Sequence, residues 1–265
     1  MALFSFLKRP RTYAVQGPQG GIDTKIVLPE GFDPGKDRCP MVILMHGFIA
    51  KKEMYPVPAL AKALAAEGIA SISFDFDAHG KSEGKFIDMT LSGEVADARA
   101  VWEYARQLPY VSRIALAGHS QGGVVAGLLA GELEDKDVKP ACLVQLAPAA
   151  VLKDDALKGQ CMNAKYDPAN PPEFVNVLFH KLGRKFILEA QQYPIYETST
   201  RYTGKVCLIH GAKDKIVPLS YSRKYDELYP DSELHILEKE GHFLGGDKKT
   251  VTGIATDFLK KNLNV

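Results

Sequence analysis

The sequence predicts an α/β fold: a mostly parallel central sheet with helices on both faces. Two observations carry this. Short apolar runs alternate with helical stretches along most of the 265 residues, and strands joined by crossover helices pair in parallel. The run Met41–Met45 is apolar without a break, the pattern of a strand covered on both faces rather than half in water.

The elements follow in order. A hairpin is expected first, from Tyr13–Val15 through a Gly/Pro turn to Thr24–Leu28. Met41–Met45 is the first central strand, and helix Pro58–Glu67 stops at Gly68, which tolerates the left-handed conformation of a helix end. Strand Ala70–Phe74 leads into a polar turn with Gly80 and Gly84. From Leu91 to Gln107, residues Leu91, Val95, Ala98, Trp102 and Ala105 share one helical face, with Thr90 as the cap. Strand Arg113–Ala117, helix Gly122–Glu132 and strand Ala141–Leu146 come next. The last elements are strand Lys205–His210, helix Leu219–Leu228, strand Glu233–Leu237 and helix Val251–Leu263.

Between about Ala149 and Thr200 the rhythm breaks. No strand pattern is visible there, and Pro168, Pro171, Pro172 and Pro194 interrupt mixed helical stretches. Long segments inside compact domains usually have a role, and open α/β sheets bind ligands at the carboxyl ends of their strands. The expected organisation is a core of residues 1–148 and 201–265 with an inserted cap, 149–200, over that end.

Composition excludes several classes. The 33 basic and 32 acidic residues leave a net charge of +1, which gives no reason to expect nucleic acid or an anionic membrane as partner. Of the four cysteines, Cys142 and Cys207 lie in apolar runs, and no pair has metal-site spacing; reduced, structural thiols are expected, with neither metal nor cofactor. The N-terminal MALFSFLKRPR lacks the charge-first order and cleavage site of a secretory signal, and no apolar run reaches the ~18 residues of a membrane span. A cytoplasmic location is the default, although a trimmed leader would read the same way.

The chemistry is concentrated at Gly118-His119-Ser120-Gln121-Gly122-Gly123, a G-x-S-x-G turn between a strand and a helix. Glycines two residues either side of the serine relieve a clash in so tight a turn. The helix N-terminus behind Ser120 favours developing negative charge. A serine hydroxyl needs a base to take its proton, and there are seven histidines. His119 points the wrong way for that task, while His46, His79, His180, His210 and His235 fall elsewhere in strands, loops or the cap. His242, in the loop after the last core strand, completes the order Ser, acid, His. Asp214 is the acid, on a loop at a strand end, whereas Asp226 and Asp231 sit in or just after a helix. An oxyanion hole is expected from the backbone N–H groups of Phe48 and Gln121, with Gly47 allowing the sharp turn.

These motifs resemble the α/β-hydrolase superfamily over nearly the whole chain: the His46-Gly47-Phe48 loop, the Asp77-to-Ser82 turn, GHSQGG, HGAKDKIVP and the Glu240-Gly241-His242 loop. More narrowly, GHSQGGVVAGLLAGE, LAPAAVLKDDALKG and EAQQYPIYE resemble the bacterial cinnamoyl or feruloyl esterases. The resemblance implies a serine esterase that cleaves hydroxycinnamoyl esters, with the cap shaping the acyl pocket. It makes Asp155 the counterpart of an acidic residue that holds the phenolic end, and puts Met162 and Phe186 where the family carries polar groups. Such a pocket favours other acyl groups as well. A monoacylglycerol lipase, thioesterase or acyl-peptidase shares this scaffold, and a non-catalytic receptor would be a different class. Cap aromatics Phe174, Phe179, Phe186 and Tyr193 are available either to the core or to a second subunit in a homodimer.

Overall fold

The computed structural model describes residues 12–136 and 138–265; the N-terminal segment read for a targeting signal lies outside them. In chain order the strands are β1 (Val15–Gly17), β2 (Gly20–Ile22), β3 (Thr24–Val27), β4 (Cys39–Met45), β5 (Ala70–Phe74), β6 (Val111–His119) and β7 (Cys142–Leu146). After an intervening segment come β12 (Lys205–Gly211) and β13 (Ser232–Leu237), four short strands β8 to β11 lying between. The central sheet has seven strands in the order β13-β12-β7-β6-β4-β5-β3. Every pairing is parallel except β3 with β5.

The sheet is a core wall because its strands are apolar on both sides. Along β4, Met41, Ile43 and Met45 enter one apolar cluster, with α2 (Leu91–Gln107) and α3 (Gln121–Leu133). Val42 and Leu44 enter the other, against α1 (Val57–Ala66) and α8 (Lys248–Leu263). Helix α2 starts as its sequence requires: the Thr90 hydroxyl accepts the Gly93 N–H at 3.0 Å.

Two expectations need correction. The N-terminal hairpin is β1 with β2, closed over Pro18-Gln19, while Thr24–Val27 runs antiparallel to β5 as the sheet edge. The tight turn pairs the chain locally, and the next strand finds its hydrogen bonds in the sheet. Segment 149–200 is not free of strands. It contains α4 (Val151–Leu157), the hairpin β8 (Gln160–Cys161) with β9 (Ala164–Lys165), the hairpin β10 (Phe174–Val177) with β11 (His180–Gly183), α5 (Arg184–Gln192) and α6 (Ile195–Ser199). Strands of two to four residues are too short to show alternation, and the left-handed turn positions are Met162 and Leu178 rather than glycine. The segment has its own apolar cluster, with Val177, Leu182, Phe186 and Ile187 packed beside Met89. Of the four aromatics singled out above, Phe179 stands fully in solvent, whereas Phe186 is buried.

Among the described residues no helix is long and apolar enough to cross a membrane, and all four cysteines are free thiols. The remaining helix, α7 (Ser220–Leu228), follows β12.

Candidate active site

The chain crosses from β5 to β6 on the far side of β4, so the switch in strand order opens a crevice at the carboxyl ends of β4 and β6. Ser120 lies there, between β6 and α3, with φ 57° and ψ −122°. A side chain pays for that backbone region with strain, and the neighbours hold it: the Ser120 N–H donates to Leu146 O at 2.8 Å, and the Ser120 carbonyl accepts from Ala149 N at 3.1 Å. The flanking glycines are required by contact. A β-carbon at Gly118 would lie 2.1 Å from the Gly122 carbonyl oxygen, and one at Gly122 would lie 2.2 Å from that of His46. Gly47 differs from expectation. Its φ is not in the left-handed region; glycine is needed because a β-carbon there would be 2.9 Å from Ser120 Cβ.

Three side chains distant in sequence meet here. His242 Nε2 is 2.9 Å from Ser120 Oγ, and His242 Nδ1 is 2.7 Å from Asp214 Oδ2. Facing a carboxylate, Nδ1 carries the proton and donates it, so Nε2 accepts the serine O–H. Asp214 is buried and satisfied on both oxygens. Oδ1 accepts the N–H groups of Ile216 and Val217 at 2.8 Å each, and His210 Nε2 lies 3.2 Å from Oδ2. Burial works to raise this carboxyl, but hydrogen bonds from His210, His242 and the Val217 N–H outweigh it and hold it well below the ordinary carboxylate range.

The loop carrying His242 is braced in turn. Glu240 accepts the N–H groups of Gly246 and Asp247 at 2.9 and 2.7 Å, and the Glu240 carbonyl accepts from Lys213 N at 2.9 Å. His119 donates from Nε2 to the His242 carbonyl at 2.8 Å. Burial, then the neighbouring His242, push the His119 imidazole down to about 4, so it serves as a neutral strut. Sequence reasoning missed the His210 contact to Asp214. The spacing of four residues was visible, but nothing in it told that the loop folds back onto the strand end.

The remaining expected residues line one cavity of about 700 Å³ together with Ser120: Phe48, Gln121, Asp155, Met162 and Phe186. Gln121 is the first residue of α3, where an N–H has no acceptor one turn back. Among the described residues neither the Gln121 nor the Phe48 N–H has an acceptor. Phe48 stacks on Phe186, centroids 6.1 Å apart. Asp155 lies on α4 and accepts from Gln160 Nε2 at 2.7 Å. Its neighbour Asp154 instead accepts the Tyr221 hydroxyl at 2.5 Å. One acidic group that sits at metal-ligating distances, Asp23, Glu53 and Asp75, surrounds the Lys52 ammonium.

The family model Hydrolase_4, described as serine aminopeptidase S33, matches residues 36–184, more than half of the chain. The chain belongs to this α/β-hydrolase family. The matched stretch carries Phe48, Ser120 and Gln121; Asp214 and His242 lie beyond it. The hydrolase superposes on Est1E of Butyrivibrio proteoclasticus with ferulic acid bound at a TM-score of 0.86 and 29% identity, covering 92% of this chain and 96% of that one. Curated relatives are similar at lower identity. Human ABHD12B is 26% identical over 73% of the chain, and the hydrolase spans about half (51%) of that relative's length. The monoacylglycerol lipase of Mycolicibacterium smegmatis is 24% identical over 82% of this chain and 85% of its own. Mouse mitochondrial palmitoyl-protein thioesterase ABHD10 is 24% identical over 78% and 69%. The family and the fold are thus those of the α/β-hydrolases, with a lipase and a thioesterase among the relatives.

Proposed function

We propose that this hydrolase cleaves small carboxylic esters, of the hydroxycinnamoyl or related aryl and acyl type, through an acyl-enzyme on Ser120. The observation that carries the proposal is the serine–imidazole–carboxylate chain of 2.9 and 2.7 Å opening into an aromatic-walled cavity. Ser120 Oγ attacks the ester carbonyl while His242 Nε2 takes its proton, and Asp214 stabilises the imidazolium. The N–H groups of Phe48 and Gln121 receive the oxyanion. His242 then protonates the departing alcohol, and water repeats the sequence to release the acid. Segment 149–200 acts as a cap that forms the acyl wall of the cavity.

Asp155 is the group for a ring hydroxyl, with one of its oxygens, Oδ1, accepting from Gln160. Met162 and Phe186 add area but no hydrogen bond, so the site accepts acyl groups without a phenol. The likeness to Est1E supports an aryl ester, and the lipase and thioesterase relatives support broader acyl use. A panel of methyl ferulate, methyl cinnamate, short p-nitrophenyl esters, monoacylglycerols and acyl-thioesters decides among these. Ser120→Ala must abolish all turnover while the circular dichroism spectrum is retained; an active variant overturns the proposal.

A further inference from the structure

The first turn of α2 holds a buried carboxyl, Glu94, that the reaction above does not use. Its oxygen Oε2 accepts the side-chain amide of Gln121, also buried, at 2.6 Å. Among the described residues no cation pairs with it. The titratable groups facing it are carboxyls as well: Asp97 on α2, Asp77 in the loop after β5 and Glu189 on α5. Burying a carboxyl without a cation is costly, and such carboxyls cluster at functional sites. The partner of Glu94 is Gln121, the residue that follows Ser120, which lines the cavity and whose backbone N–H has no acceptor among the described residues.

We propose that Glu94 is a positioning residue: its carboxyl holds the Gln121 side chain against α2 and so fixes the peptide whose N–H faces the oxyanion. This rests on the serine-esterase reading above. The group is suited to the task because burial, the largest influence, pushes its carboxyl up to about 8, with Glu189 and Asp77 adding to the rise and the Gln121 hydrogen bond opposing it. Near neutrality it therefore clamps the amide without placing negative charge beside a developing anion. Once it ionises, the charge works against the oxyanion, so kcat falls with rising pH.

The test compares kcat and KM across pH for the wild type, Glu94→Leu and Glu94→Gln, with a p-nitrophenyl ester corrected for spontaneous hydrolysis. Glu94→Leu should lower kcat about tenfold with little change in KM, a fraction of the loss of a whole oxyanion donor. Glu94→Gln keeps an acceptor for Gln121 and cannot ionise. It should recover kcat and lack the alkaline fall that the wild type shows with a midpoint near pH 8. An alkaline fall that persists unchanged in Glu94→Gln, or a wild-type kcat in Glu94→Leu, overturns the assignment. Should Glu94→Leu fail to fold, the Glu94→Gln profile alone decides. Ser120→Ala separates the two readings: its activity bears on the mechanism, and the Glu94 variants bear on the clamp.

Discussion

Replacing Gly118 by alanine tests whether the turn geometry places the nucleophile. The added β-carbon would lie 2.1 Å from the Gly122 carbonyl oxygen, 2.4 Å from its carbon and 2.7 Å from the Gly123 nitrogen. These are backbone atoms, so no side chain can rotate away. Unstrained carbon contacts begin near ~3.5 Å, so the two stretches of backbone must part by roughly 1 Å at the least. Ser120 lies between them and takes up the shift. Because a misplacement of ~1 Å at a reacting centre costs about 10²-fold, kcat/KM on a p-nitrophenyl ester should fall by about 100-fold or more, chiefly in kcat. Fluorophosphonate labelling of Ser120 should slow in parallel, with circular dichroism showing the fold retained. Gly253→Ala is the contrast: a β-carbon there meets nothing within 4 Å. Activity should be unchanged, and the protein should gain about 0.5–1 kcal/mol from the better helix residue. A folded Gly118→Ala variant that labels at the wild-type rate would falsify the contact argument.

Other expectations follow from the same geometry. Asp214→Asn should reduce kcat by about 10⁴-fold, because the amide no longer fixes the His242 tautomer. A full-rate variant would show that the 2.7 Å contact is incidental. The depressed Asp214 carboxyl contributes stability that is present above the ordinary aspartate range and lost as pH falls through its folded value, so acid denaturation of Asp214→Asn should depend less steeply on pH. Asp97 behaves oppositely: burial first, then the neighbouring Asp77 carboxyl, raise its own. From about pH 4 upward the unfolded chain gives up this proton while the folded chain keeps it, so stability falls with rising pH. Asp97→Asn should remove that fall, seen as a melting-temperature advantage over wild type that grows toward alkaline pH; a constant difference would contradict it. Met162→Gln should improve methyl ferulate relative to methyl cinnamate by several-fold, the worth of about 1 kcal/mol from one hydrogen bond. Equal effects on both esters would place the ring hydroxyl elsewhere.

The sequence by itself determined the α/β layering and nearly every core element. Helix Leu91–Gln107 and strand Ala70–Phe74 are found at the residues their apolar patterns mark. It also determined which residues to look for at the site, because glycine at 118 and 122 and the order of serine, acid and histidine are local or ordinal signals. The two short hairpins of segment 149–200 were illegible, since two to four residues show no period and their turns use Met162 and Leu178. Only the tertiary structure decided that Gly47 is demanded by the closeness of Ser120, that His210 shares Asp214 with His242, and that Glu94 grips Gln121. The physical reason is common to all three. Each is a contact between side chains or backbones brought together by sheet order and helix packing, and a linear pattern encodes which face a residue occupies, not what lies across from it.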